Sequence, residues 1–184
     1  DVKCSQALED VIVRLGGIPV MWKTGHSLIK DKMKEINSKF GGEMSGHIFF
    51  ADDFFGFDDA LYVSLRLIQL LSKTNKKLSE LNAEIPKYYS TPELRIECVD
   101  DKEKFSIMEK AEKYFSEYYD CIKVDGVRIK FGDGWGLVRA SNTQPVLVCR
   151  FEARSSNKMN EIKQIVIGKL SELGDLDLNV WKNN

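Results

Sequence analysis

DCIKVDGVRIKFGDGWGLVRASNTQPVLVCRFEA, residues 120–153, decides the fold of the second half of the chain. Asp125-Gly126 is a dipeptide favoured in tight hairpin turns, whose central residues need positive φ, and it lies inside an extended stretch, residues 122–131. Residues 135–140 and 146–153 read as two further strands. Upstream, Leu94, Ile96 and Cys98 alternate with the period of a half-buried strand, and residues 102–118 read as a long charged helix. Downstream, Asn157 can cap a last helix in which Ile162, Ile165, Val166 and Leu170 line one face before Gly174. Strands with one helix near each end describe a small α+β domain, an antiparallel sheet covered on one side.

Residues 73–92 are polar, hold two of the four prolines and show no sustained period. They read as a linker dividing the chain into domains 1–86 and 87–184. In the first of these, Asp1-Val2-Lys3-Cys4 resembles the end of a strand. Ser5 can then cap a helix bearing Ala7, Leu8, Val11, Ile12 and Leu15 on one face, which Gly16-Gly17 and Pro19 end. Val20-Met21-Trp22 reads as a short strand, so the β-α-β order predicts a parallel pair. A helix that Ser27 can cap runs to about Asn37, and the Gly41-Gly42 loop precedes the apolar Ile48-Phe49-Phe50. Asp58-Asp59 begins a strong helix, with Ala60, Leu61, Val63, Ser64, Leu67, Ile68 and Leu71 at helical spacing up to Ser72. An α/β domain therefore precedes the α+β one.

Composition narrows the function classes. The 184 residues include 27 Lys+Arg and 28 Asp+Glu, with 43% hydrophobic residues, which is too apolar and too nearly neutral for disorder. Residues 1–86 carry 11 basic and 12 acidic side chains and residues 87–184 carry 16 of each. Neither half has the basic surplus that would draw it to nucleic acid or anionic lipid. No apolar run reaches the about 18–20 residues of a membrane-spanning helix, and residues 1–10 lack the pattern of a secretory signal. Cys4, Cys98, Cys121 and Cys149 lie far apart with only two histidines to assist them, so zinc is not expected and reduced cysteines in a cytoplasmic protein are.

Three loops gather polar residues that a core would not require. Arg139-Ala140-Ser141-Asn142-Thr143 brings a guanidinium fork, two hydroxyls, a carboxamide and turn N–H groups to one small volume, the donor set a phosphate dianion takes. An ordinary hairpin loop would use the same turn-forming residues. Arg150, on the next strand, either joins this set or pairs with Glu152 or another acid. In Glu43-Met44-Ser45-Gly46-His47, one carboxylate can accept from two neighbouring hydroxyls and a serine can add a third contact, which suits a sugar ring. A solvated Glu43 beside a turn and a strand-edge His47 are the structural alternative. Thr24-Gly25-His26-Ser27 opens a helix, whose N-terminal N–H groups favour an anion. His26 and His47, the only histidines, are candidates for proton transfer. Asp52, Asp53, Asp58 and Asp59 look instead like helix-capping and surface acids, and no metal site is expected.

Taken together, Lys3 in DVKC, WKTGHSLIK (22–30), GEMSGH (42–47), FFGFDDA (54–60), GWGLVRASNTQPVL (134–147) and RFEA (150–153) resemble the α-D-phosphohexomutases, most of all their bacterial phosphomannomutase/phosphoglucomutase branch. The likeness spans nearly the whole chain. In that family four domains surround a deep cleft, and this chain is similar to most of the third and all of the fourth. The resemblance implies a partial, mixed three-layer α/β domain followed by a small α+β domain with a TBP-like antiparallel sheet. It further implies that Glu43 and Ser45 grip the ring hydroxyls, with Met44, Gly46 and His47 completing the loop. Lys3 and His26 also reach the substrate in such enzymes, and Arg139, Ser141, Asn142 and Thr143, with Ala140 in the same loop, hold the phosphate that is not transferred.

The family reaction moves a phosphoryl group between O6 and O1 of glucose or mannose, through a phosphoserine, magnesium and a hexose 1,6-bisphosphate intermediate. Met44 matches the glucose/mannose branch, where glucosamine-using relatives show glutamine. The family's phosphoserine loop and Asp-Gly-Asp-Gly-Asp magnesium loop have no counterpart in this sequence. The expectation is a C-terminal part of a mutase that needs N-terminal domains for turnover. The alternative is a free-standing sugar-phosphate-binding module.

Overall fold

A computed structural model of the chain describes residues 1–174 and Leu176. The chain divides into two compact units, Asp1–Lys87 and a second beginning at Tyr88. The last residues of the expected 87–184 domain lie outside the described residues.

In the first unit, helix α1 (Gln6–Arg14) starts where Ser5 Oγ accepts the Ala7 N–H at 3.1 Å. Helix α2 (His26–Glu35) has Gly25, not Ser27, at its N-cap. The expected Ser27 cap fails because Ser27 already lies inside the first turn, and no side chain caps this end. Strands β1 (Phe40–Gly42) and β2 (Ile48–Phe50) form an antiparallel hairpin, Phe40 opposite Phe50 and Gly42 opposite Ile48. Gly41-Gly42 therefore belongs to a strand and not to a loop. A Cβ on Gly41 would lie 2.6 Å from Met33 Sδ, so glycine is what lets β1 lie against α2. Buried Ile29, Met33 and Phe49, with Ala51 against them, make the small core there.

The parallel pair predicted for this half is not formed. Val2 N–H donates to Trp22 C=O at 3.0 Å, but no ladder is built on that contact among the described residues, and both segments lack strand conformation. A parallel pairing needs a run of evenly spaced bonds. Helix α3 (Ala60–Ser72) begins as predicted, with Asp59 accepting the Tyr62 N–H at 2.9 Å. It nevertheless buries none of its residues, and Leu61 is 80% exposed. Apolar spacing fixes a helix and its stripe, but a second layer must be present for the stripe to be buried. The stretch read as a linker also holds structure: helix α4 (Leu78–Ala83) and the two-residue strand β3 (Tyr89–Ser90).

The second unit is a six-stranded antiparallel sheet with two helices. Its further strands are β4 (Leu94–Glu97), β5 (Cys121–Ile122), β6 (Val127–Lys130), β7 (Gly134–Ala140) and β8 (Val146–Ala153). The order is β3-β8-β7-β6-β5, with β4 also paired to β8. Helix α5 (Asp101–Tyr118) is capped by Asp100, and α6 (Ser156–Leu173) by Ser155 rather than Asn157. Ser155 Oγ accepts the Lys158 N–H at 3.2 Å, the N3 contact of a cap. Ile107, Ala111 and Phe115 of α5 and Ile162, Val166 and Leu170 of α6 bury against Ile96, Val127, Val138, Cys149 and Phe151. Each such large apolar side chain contributes about 1.5–3 kcal/mol on leaving water.

The opposite face of this sheet was expected to be open, and it is not. Register places Arg128 across from Leu137, Trp135 across from Glu152 and Arg139 across from Val148, and all six are buried. The charges there are partnered. The Arg128 guanidinium stacks 3.7 Å from the Trp135 ring centre, and Trp135 Nε1–H donates to Glu152 at 2.9 Å. Burial of ions is tolerable only when they are paired in this way. Among the described residues no helix is long and apolar enough to cross a membrane.

Candidate functional site

In the first unit the β1–β2 connection is the loop Glu43–His47, closed by Glu43 N–H to His47 C=O at 2.8 Å and Gly46 N–H to Glu43 C=O at 3.0 Å. The Glu43 carboxylate is held on both oxygens. Oε1 accepts the Gly25 N–H at 3.1 Å, and Oε2 accepts the Ser45 hydroxyl at 3.1 Å. Each carboxylate oxygen has two lone pairs, so each retains one for a further donor. The Gly25 bond also satisfies an N–H at the start of α2, where the N-cap glycine has no side chain of its own to offer.

Asp1 attaches Lys3 to the same loop: its carboxylate accepts the Lys3 N–H at 2.7 Å and the Met44 N–H at 3.2 Å. The His26 and His47 rings lie 6.4 Å apart, centre to centre. His47 Nδ1 is 2.5 Å from Asp58 Oδ2. A carboxylate can only accept, so Nδ1 carries the proton and Nε2 of the neutral ring is the free basic nitrogen. The fold thus brings Lys3, His26 and Glu43–His47 together around one hairpin end.

In the second unit Arg139 and Ala140 end β7, and Ser141–Thr143 form the turn into β8. Arg139 is buried, with Nη2 3.3 Å from Asp125 Oδ1 and 3.1 Å from Oδ2, while its Nε is buried without a hydrogen-bond partner. Arg150 Nε is likewise buried and unpartnered. The sequence left open whether Arg150 pairs with Glu152; the carboxylate of Glu152 accepts from Trp135. Ser141 N–H bonds Val146 C=O at 2.9 Å, and Ser141 Oγ accepts the Thr143 N–H at 3.3 Å. Asn142 and Thr143 are exposed, whereas Ser141 is buried.

Four contributors were not read as such from the sequence. Asp58 was assigned to helix capping, yet it is Asp59 that caps and Asp58 that orients His47. Asp1 and Asp125 showed no signal, because their partners lie far along the chain. Lys104 did have one: it falls in the buried stripe Lys104, Ile107, Met108, Ala111 and Phe115 of α5, where a lysine is out of place unless it is bound.

The acids near residue 55 do not fit a metal. Asp52 pairs with Arg66 at 2.9 Å and holds that guanidinium above its ordinary pKa, with Tyr62 assisting. Asp58 serves His47 and Asp59 caps α3, and among the described residues no three His, Cys, Asp or Glu side chains are gathered as metal ligands.

An α/β unit whose hairpin loop carries a doubly held carboxylate is followed by an antiparallel α+β unit with a polar turn between β7 and β8, and the chain belongs to the phosphoglucomutase/phosphomannomutase family. Residues 1–89 match that family's alpha/beta/alpha domain III, and residues 93–169 match its C-terminal domain. The phosphomannomutase/phosphoglucomutase of Pseudomonas syringae is 48% identical over 97% of this chain, and the phosphoglucomutase of Neisseria gonorrhoeae 42% identical over 89%. The matches cover 38% and 36% of those proteins, so the chain spans little more than a third of their length. A crystal structure of a phosphoglucomutase/phosphomannomutase family protein from Burkholderia thailandensis superposes on 96% of this chain and 38% of its own, with a TM-score of 0.83 at 38% identity.

Proposed function

We propose that this chain is the sugar- and phosphate-recognising part of a cytoplasmic phosphohexomutase that interconverts hexose 6-phosphate and hexose 1-phosphate through a hexose 1,6-bisphosphate. The observation that carries this is the Glu43 carboxylate, fixed on both oxygens by Gly25 and Ser45 yet with a lone pair left on each. Such a carboxylate accepts two adjacent hydroxyls at once, and adjacent hydroxyls are what a hexose ring offers. Lys3 and His26 add donors around it, Ser45 Oγ, whose proton goes to Glu43, adds an acceptor, and Met44 gives the ring an apolar contact. His47, its Nδ1–H turned to Asp58, presents Nε2 to take a proton from the attacking hydroxyl or return one to the leaving oxygen.

The second unit holds the phosphate that is not being transferred. Arg139 supplies the charge-assisted bonds, and Ser141, Asn142 and Thr143 supply hydroxyl, carboxamide and N–H donors. An anchored ligand reacts as if at very high local concentration, which is the gain such binding provides to a two-step transfer. The phosphoryl donor, the magnesium ion and the N-terminal domains belong to the rest of a protein of the relatives' length.

Isothermal titration of the chain with glucose 6-phosphate and glucose 1,6-bisphosphate tests this, alongside a coupled mutase assay. Saturable binding without turnover is expected. Absence of binding overturns the recognition role, and turnover by the chain alone overturns its dependence on further domains.

A further inference from the structure

Lys104 is 2% exposed and lies in the first turn of α5, remote in sequence from every residue assigned above. A buried ammonium is costly unless its three N–H donors are all taken. Here they are: Nζ donates to Asp101 Oδ1 at 2.6 Å, to Ser141 C=O at 2.8 Å and to Gln144 C=O at 2.9 Å. The two carbonyls belong to the two ends of the Ser141–Gln144 turn, so one side chain of α5 closes that turn from beneath. Gln144 C=O also accepts the Val146 N–H at 2.8 Å, and Arg95 bonds the Gln144 side chain. The turn is thus pinned at its C-terminal end by three donors and at Ser141 by Lys104.

Peptide geometry couples this clamp to the direction of the next N–H. In a trans peptide the C=O and the following N–H point in opposite directions, and among the described residues there is no cis peptide bond. Ser141 C=O is aimed at Lys104, so the Asn142 N–H is aimed to the opposite side, away from the helix. Asp101 balances the ammonium's charge, so Lys104 acts more through aim than through field.

We infer that Lys104 is a positioning residue for anion binding: it fixes the Ser141–Gln144 turn so that the Asn142 N–H, with the adjacent hydroxyls, faces a phosphate. This rests on the phosphate role proposed for the turn. It contacts no ligand itself, and its effect is to spare the turn the cost of ordering on binding.

The test uses the full chain with glucose 6-phosphate and inorganic phosphate as probes. Lys104→Met keeps length and suits the apolar stripe but removes the donors. The affinity of its folded fraction for both probes is expected to fall about tenfold, with Tm lowered because the Ser141 and Gln144 carbonyls lose a donor, and the probe-induced shift of the Asn142 amide in ¹H–¹⁵N spectra is expected to shrink. A merely structural lysine would lower Tm and leave the affinity of the folded fraction unchanged. If Lys104→Met binds like the wild type while Arg139→Ala does not, the inference is overturned and the phosphate role stands. If the wild type does not bind, or Arg139→Ala binds unchanged, the phosphate role itself is overturned and the inference with it. Should Lys104→Met fail to fold, Asp101→Asn, at an exposed position of the helix start, is expected to weaken binding about threefold, and wild-type affinity in that variant overturns the inference.

Discussion

Asp58 reaches His47 across eleven positions of sequence and a strand, its Oδ2 2.5 Å from the ring's Nδ1. The two belong to different local devices, one closing the hairpin loop and the other preceding α3, and their contact fixes which ring nitrogen is basic. Asp58→Asn removes that fixed acceptor, because a carboxamide can donate as well as accept. In long-range ¹H–¹⁵N spectra at a pH where the ring is neutral, the wild type is expected to hold the Nδ1–H tautomer at His47. The variant is expected to shift toward Nε2–H. Identical spectra for the two would remove Asp58 from the role of orienting His47.

In the proposed function, Glu43 separates sugar recognition from phosphate recognition. Glu43→Gln keeps the size of the side chain but loses the charge-assisted character of its hydroxyl contacts, a difference of about 1–2 kcal/mol. Affinity for glucose 6-phosphate is expected to fall about five- to thirtyfold in titration calorimetry, with inorganic phosphate binding nearly unchanged. Equal loss for both ligands would mean that Glu43 supports the fold of its loop and nothing more.

Arg139→Ala is expected to weaken hexose phosphate binding by about 1.5–3 kcal/mol, the loss of a charge-assisted pair. Unphosphorylated glucose is the control and should respond little. Arg139→Lys should recover only part of the loss, since an ammonium cannot reproduce the forked donors of the guanidinium. Unchanged phosphate affinity in Arg139→Ala would exclude this residue from the anion site.

The parts of this chain legible in the sequence were those whose cause is local. The strands of residues 120–153 follow from β-branched alternation and the Asp125-Gly126 turn, and α3 from apolar spacing behind Asp59. What could not be read was decided by partners far along the chain. Val20–Trp22 has strand composition, but composition does not supply the neighbour a ladder needs. Ser27 and Asn157 are as good caps on paper as Gly25 and Ser155, and which one serves depends on where the chain enters the helix. At the candidate site, the loops proposed to bear the contacts were visible as clusters of polar residues. The residues tied to them, Asp1, Asp58 and Asp125, were not, because each is held by one long-range bond or a few such bonds, and Lys104 showed only as a lysine within an apolar stripe.

Gly126 makes one such tie possible. With φ at +73° it turns the β5–β6 hairpin so closely onto β7 that a Cβ would lie 2.3 Å from Val138 C=O and 2.7 Å from Arg139 Cα. Gly126→Ala adds left-handed strain of about 1 kcal/mol to a backbone clash that only movement of the turn can relieve. A loss of about 2–4 kcal/mol in urea unfolding of the second unit is expected, with phosphate affinity falling as Asp125 and Arg139 separate. A variant as stable as the wild type would show that the turn can retreat without cost.

The cysteines give the chain a basic limit of stability. Burial pushes the Cys149 thiol far above its ordinary value of 9.0, with Cys98 adding to the effect. Burial, with Glu103 next, raises Cys98, and burial, with Asp120 next, raises Cys121. A thiol whose folded pKa exceeds its unfolded one stabilises the fold fully below the unfolded pKa, and that contribution is lost as pH rises through the folded one. Above about pH 9 the unfolded chain ionises its thiols first and is favoured, so the urea midpoint is expected to fall steadily from pH 9 upward. In the native chain at pH 8, iodoacetamide should modify Cys149 only through unfolding, at a rate that rises with urea. Cys149→Ala should flatten part of the alkaline decline, and a variant with the wild-type slope would assign that decline to other groups.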